Sequence, residues 1–233
     1  MSALLILPGL LCDSRMFAAQ IDAFPGAVAL DGFYDGCDRI EAMADYALAR
    51  APERFALLGH SMGARIALEV IRKAPERVER IALADTGIHP VKPGEREKRH
   101  ALRDIGRERG MAALVDAWLP QMLGAANRGD AALIASLRAM SIDAGQQVFE
   151  RQIEALLNRP DTDEVLRAIR VPAVAIVGDA DEWSPVGQHE EIVERIPGAR
   201  LRVVEGAGHM APAENPQQFN RILREWLDLP SAS

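Results

Sequence analysis

The sequence predicts an α/β fold: a mostly parallel sheet of about six strands, helices on both faces, and a helical cap inserted between two successive strands. Three observations predict it. Short, uniformly apolar runs recur along the chain, too short for helices and too apolar for a sheet with one wet face. Longer amphipathic stretches separate them, as crossover helices between parallel strands do. A stretch past the middle of the chain has helical character throughout and no strand signal.

Residues 4–7 and 27–30 read as the first two strands. Across residues 38–50, Ile40, Met43, Ala44, Ala47 and Leu48 share one side, which predicts a helix. Residues 55–58 are apolar at every position and read as a buried strand. Over residues 62–73 the polar Arg65, Glu69, Arg72 and Lys73 fall on one face and apolar residues fill the rest, until Pro75 ends the pattern. Strands at 80–84, 173–177 and 201–204 follow, and a last amphipathic helix spans 216–227. Between the fourth and fifth strands, helices are expected over 95–109, 111–123, 130–140 and 146–157, punctuated by Gly110, Gly124, Gly129 and Gly145. The organisation so predicted is a core of residues 1–88 and 166–233 with an inserted helical cap at 89–165.

The chain has 233 residues, enough for one domain with a modest insertion. Its net charge of −7 argues against nucleic acid or an anionic membrane as partner. The apolar N-terminal run has no basic residues ahead of it and ends at Pro8 and Gly9, so neither a signal peptide nor a membrane span is expected. A cytoplasmic protein is the expectation. Cys12 and Cys37 lack zinc-like spacing and are expected as free thiols.

Chemistry enters at Gly59-His60-Ser61-Met62-Gly63, placed between a predicted strand and a predicted helix. A sharp strand-to-helix turn pushes the serine into strained backbone, and glycines two residues either side let strand and helix approach. The same turn sets Ser61 at a helix N-terminus, where the Met62 N–H is placed to stabilise an oxyanion. Asp179 and Asp181 follow the fifth strand, and Gly206-Ala207-Gly208-His209 follows the sixth. The order Ser, Asp, His is the one such a fold requires.

With these pieces the chain resembles the α/β-hydrolase superfamily, and especially its small bacterial esterase, enol-lactonase and C–C hydrolase branch. The segments 178–185, 196–199 and 206–216 match as well as the serine motif, and 159–172 is similar to the family's return from cap to core. The resemblance implies a Ser61–His209–Asp181 triad, with Asp179 as rival acid and Asp85 as a further candidate, since some relatives place the acid there. It implies Leu10 as the second backbone oxyanion donor, although Pro8 stands where relatives carry histidine and the chain starts directly at this strand. Leu11, His60 and Trp118 are candidates for the substrate pocket. No metal or organic cofactor is called for.

Arg96, Lys98, Arg99, His100, Arg103, Arg107 and Arg109 recur on the first cap helix. They form either a basic lip for a carboxylate substrate or an acyl-carrier partner, or a solvated face paired with the interleaved Glu95, Glu97, Asp104 and Glu108. The solvated face is the simpler reading. The function expected is hydrolysis of a small or medium carboxylic ester; enol-lactone or C–C hydrolysis by the same residues is the alternative. A non-hydrolytic binding member of the fold is the third reading.

Overall fold

A computed structural model describes residues 3–230, so residues 1–2 and 231–233 of the expected core lie outside the described residues. The short apolar runs form the strands β1 (Ala3–Leu7), β2 (Ala27–Ala29), β3 (Phe55–His60), β4 (Val78–Ala84), β5 (Ala173–Gly178) and β6 (Arg200–Val204), of which β4 and β6 also take in charged residues. They build one six-stranded sheet in the order β2-β1-β3-β4-β5-β6, and every pairing is parallel. β3 and β5 are buried along their whole length, as strands covered on both faces must be.

The helices are α1 (Ala18–Ala23), α2 (Ile40–Leu48), α3 (Met62–Lys73), α4 (Glu95–Arg109), α5 (Met111–Trp118), α6 (Ala131–Ala144), α7 (Gln146–Leu157), α8 (Asp163–Ala168), α9 (Val186–Arg195), α10 (Ala211–Glu214) and α11 (Pro216–Leu227). Among the described residues, none is long and apolar enough to cross a membrane.

Local chemistry explains where the helices start and stop. Asp130 caps α6 by accepting from the N–H groups of Ala132 and Leu133, and Gly145, at φ 83°, ends it. α6 therefore runs four residues past the expected end at Met140. The expected helix at 111–123 instead stops at Trp118 and tightens into a 3-10 turn, Leu119–Met122, with Pro120 inside it. The sequence pattern did not announce α1, α8, α9 or α10. Three of these have six residues or fewer, and α9 shows few apolar positions.

α4 to α7 all lie between β4 and β5, with α4 packed on α5 and α7, and α5 on α6. The sheet's carboxyl edge presents the segments after β3, β4, β5 and β6, the usual ligand edge of an open parallel sheet. α3 crosses close beneath β1. A methyl group added to Gly63 would lie 1.9 Å from the Leu7 carbonyl oxygen, and one on Gly59 would lie 2.5 Å from the Ala64 Cα.

These contacts make opposite predictions for two helical glycines. Gly63→Ala should destabilise the protein by about 2–3 kcal/mol or more in urea unfolding, because backbone must move to admit the methyl. Gly187→Ala in α9 meets nothing closer than 4.0 Å and should stabilise by roughly 0.5–1 kcal/mol. Equal effects at the two positions would contradict the close approach of α3 to β1.

Candidate active site

Ser61 stands between β3 and α3 at φ 55° and ψ −117°, a conformation that costs an L-residue on the order of 1–3 kcal/mol. The surroundings hold it there: its N–H donates to the Ala84 carbonyl at 2.8 Å, and the Thr86 hydroxyl donates to its carbonyl at 3.0 Å. The side chain is thereby fixed at the wall of the cavity.

Ser61 Oγ lies 2.8 Å from His209 Nε2, and His209 Nδ1 lies 2.8 Å from Asp181 Oδ2. The other Asp181 oxygen accepts the N–H groups of Trp183 and Ser184, both at 2.8 Å. Burial would raise the Asp181 pKa, but the His209 charge and hydrogen bond, with those two N–H groups, bring it below the usual carboxylate range. The rivals lie elsewhere. Asp179 is exposed and accepts the Gly206 N–H at 2.8 Å, tying the turn after β5 to the histidine loop. Asp85 is buried and accepts the Gly178 N–H at 3.0 Å. Burial, then the charge of Asp181, push its carboxyl well above the usual range.

The histidine loop is held on several sides. The His209 N–H donates to the Met122 carbonyl at 2.7 Å, and methyl groups on Gly208 and Gly178 would strike the backbone of Gly124 and Ala207 at 2.3 Å. Glu214 binds four donors: Oε1 accepts the Gly208 and Met210 N–H groups at 2.9 and 3.0 Å, and Oε2 accepts the Gly124 N–H and the Asn127 amide at 2.8 and 2.9 Å. The sequence reading gave Glu214 no role.

Leu10 and Met62 both line the cavity, and their N–H groups are engaged by no hydrogen bond among the described residues. Leu11 does not line the cavity, contrary to expectation. It is fully buried at φ 57°, and its N–H is taken by Gln152 Oε1 of α7 at 2.9 Å, so it anchors the loop instead. His60 and Trp118 do border the cavity, both nearly enclosed. His60 Nε2 lies 2.7 Å from the His209 carbonyl, which can only accept, so Nε2 carries the proton and Nδ1 is left buried without a partner. Burial, then the His209 charge, lower the His60 pKa to about 3. His189 accepts the Thr86 N–H through Nε2 at 3.0 Å, and burial lowers its pKa to about 4. Cys12 borders the cavity, but burial and then Asp13 push its thiol far up, away from the nucleophilic form.

The cavity has a volume of about 360 Å³. Leu102, Trp118, Met122, Phe149 and Ile153 give it an apolar wall. Of the basic residues on α4, Lys98 and Arg99 border it. Arg103 pairs with Asp104 at 2.8 Å and Arg107 with Glu150 at 2.5 Å, both outside the cavity. Arg65 and Arg159, which the sequence placed on a polar helix face and in the return segment, border it too.

A sequence model described as the Alpha/beta hydrolase family matches residues 4–222. The pimeloyl-[acyl-carrier protein] methyl ester esterase of Nitrosomonas europaea is 25% identical over 190 residues, covering 78% of this chain and 75% of that one. A thermophilic esterase from Thermogutta terrifontis, solved with malate bound, superposes with a TM-score of 0.85 at 26% identity, over 97% of this chain and 89% of that one. The enol-lactonase from Burkholderia xenovorans LB400 superposes with a TM-score of 0.84 over 98% and 91% of the two chains, and at 23% identity this likeness speaks for the fold alone.

His60 and His189 predict acid sensitivity. Their folded values of about 3 and about 4 lie below the ordinary 6.5, so between pH 6.5 and about 4 the unfolded chain binds protons that the folded one does not. Their contribution is therefore complete above pH 6.5 and lost as the pH falls, at up to about 1.4 kcal/mol per pH unit for each histidine. Urea unfolding at a series of pH values should show this slope. His189→Gln, which keeps an acceptor for the Thr86 N–H, should lessen it by one histidine's share; an unaltered slope would contradict the buried neutral ring.

Proposed function

The chain belongs to the Alpha/beta hydrolase family, and on that premise we propose that it is a serine hydrolase cleaving a small or medium carboxylic ester through an acyl-enzyme. The observation that carries this reading is the hydrogen-bonded chain from Ser61 Oγ through His209 to Asp181, with both links at 2.8 Å and the serine at the cavity wall.

The geometry supports a role for each residue. His209 Nε2 takes the Ser61 proton as Oγ attacks the carbonyl carbon, and Asp181 holds the ring in the required tautomer and stabilises the imidazolium. The Leu10 and Met62 N–H groups receive the developing oxyanion, a contribution of about 3 kcal/mol for one donor. His209 then returns the proton to the leaving alkoxide. Water, activated by the same imidazole, releases the acid and restores Ser61.

Residues 1–88 and 166–233 form the hydrolase core in this reading, and residues 89–165 form the cap that roofs the cavity. The setting is cytoplasmic, where the free thiols of Cys12 and Cys37 persist. Hydrolysis of an enol-lactone or of a C–C bond is the second reading; the mixed apolar and cationic lining of the cavity favours keeping it, since it would complement a substrate that joins an apolar part to a carboxylate, as a ring-fission dienoate does.

Wild type and Ser61→Ala are to be compared on p-nitrophenyl acetate, butyrate and octanoate, then on lactones and ring-fission dienoates. Ser61→Ala should lower kcat by at least about three orders of magnitude, and equal rates would end the proposal. Asp181→Asn should cost on the order of 10²–10⁴ in kcat, while Asp179→Asn should change it less than about threefold; the reverse ranking would make Asp179 the acid.

A further inference from the structure

One part of the cavity wall is far more cationic than the rest. Arg65, Arg99 and Arg159 border the cavity with little exposure: 7% for Arg65, and 12% and 6% for the side chains of Arg99 and Arg159. Lys92 and Lys98 stand exposed at the same cavity, where Glu95 is the only carboxylate among its lining residues.

Glu95 is already fully used. Its Oε1 accepts from Arg99 Nε and Nη2 at 3.0 and 2.8 Å and from Arg159 Nη1 at 2.7 Å. Its Oε2 accepts from Arg159 Nη2 at 2.8 Å and the Lys92 N–H at 3.2 Å. Burial works against ionisation, yet the two guanidiniums hold the Glu95 pKa at about 2. Arg159 spends its remaining donors on the carbonyls of His89, Pro90 and Leu156.

Arg65 is different. Nη2 donates to the His89 carbonyl at 2.8 Å, but Nη1 is buried with no partner. Burial, then the charge of Arg159, lower the Arg65 pKa to about 9. An unmet donor on a buried cation, beside two further cations that share one anion, is a standing cost to the fold. A structural role does not explain it, because holding one carbonyl requires neither the charge nor the second nitrogen. Arg65 lies one helical turn beyond Ser61 on α3, a rise of about 6 Å, and both residues face the same cavity.

We propose that the Arg65 guanidinium, with Arg99 and Arg159 supplying further positive charge, is the anchor for a free carboxylate on the substrate, so that Ser61 acts on anionic compounds such as half-esters of dicarboxylic acids. What is cleaved rests on the hydrolase reading; what is bound does not. A guanidinium in a partly apolar pocket suits a planar carboxylate, which needs few donors once Leu102 and Leu156 cover its chain.

Calorimetric titration of Ser61→Ala with succinate, glutarate and adipate tests the anchor apart from the chemistry. At least one should bind with a Kd of about 1 mM or tighter, and Arg65→Met in the same background should weaken it at least about tenfold. Arg99→Gln should weaken it as well, as a second variant if Arg65→Met does not fold. No binding of any dicarboxylate, or binding of inorganic phosphate in preference to all three, would overturn the proposal.

The wild type supplies a check that needs no variant at the anchor. Mono-p-nitrophenyl half-esters of the three acids, and acetyl esters of glycolate and 3-hydroxypropanoate, are each compared with the corresponding terminal amide. A kcat/KM ratio of acid to amide above about ten in one of the series supports the anchor and shows which half of the substrate carries the charge; ratios near one throughout overturn it. Should Ser61→Ala hydrolyse as fast as the wild type, the hydrolase reading would fall while the titration still decided the anion site.

Discussion

Gly63 rests against the carbonyls of Leu7 and Pro8, in a contact to which it contributes no side chain. Helix α3 is thereby held against the end of β1, which brings the serine turn beside the loop that follows β1. Gly9 repeats the device: a methyl there would lie 2.8 Å from His60 Nδ1 and 3.0 Å from Ser61 Cβ. On the other side of the site, Gly178, Gly208 and Gly124 bring three more loops to backbone contact. Once main chains are packed this closely, Ser61, His209 and Asp181 need only short side chains to meet. The packing also holds the strained Ser61 backbone, which local sequence alone would not keep.

The parts of this arrangement legible in the sequence are those whose cause is local. The glycines flanking Ser61 and the apolar strand runs report constraints within a few residues. The helix end at Gly110 was legible for the same reason, since that glycine sits at positive φ, whereas the helix before Gly145 was expected to stop already at Met140. Arg65 was not. Periodicity shows that it lies on a polar face of α3 but not that later helices cover that face. Glu214 and Gln152 were silent as well: Glu214 ties two nearby N–H groups to one 90 residues away, and the N–H that Gln152 accepts lies 141 residues away. Leu11 erred in the other direction: being next to the oxyanion loop in sequence suggested the pocket, but its positive φ turns the side chain into the core.

Two carboxyls compete for the negative charge near His209, and environment separates them. Asp181 receives two backbone N–H groups besides the imidazole, whereas Asp85 receives one and is wholly buried. Each charge disfavours the other, so the better-solvated carboxylate keeps it. His60, neutral and directed at the His209 carbonyl, completes this region without adding charge. Electrostatics near Ser61 is thus economical, in contrast with the crowded cations around Glu95.

The seam between the histidine loop and residues 122–127 bears on how far the molecule can be taken apart and recombined. Met122, Gly124 and Asn127 lie between β4 and β5 in the chain, yet they hold His209 and Glu214, which follow β6, by hydrogen bonds. Residues 122–127 are therefore not separable from the histidine loop: a graft that replaced everything between β4 and β5 would take away part of the support for His209.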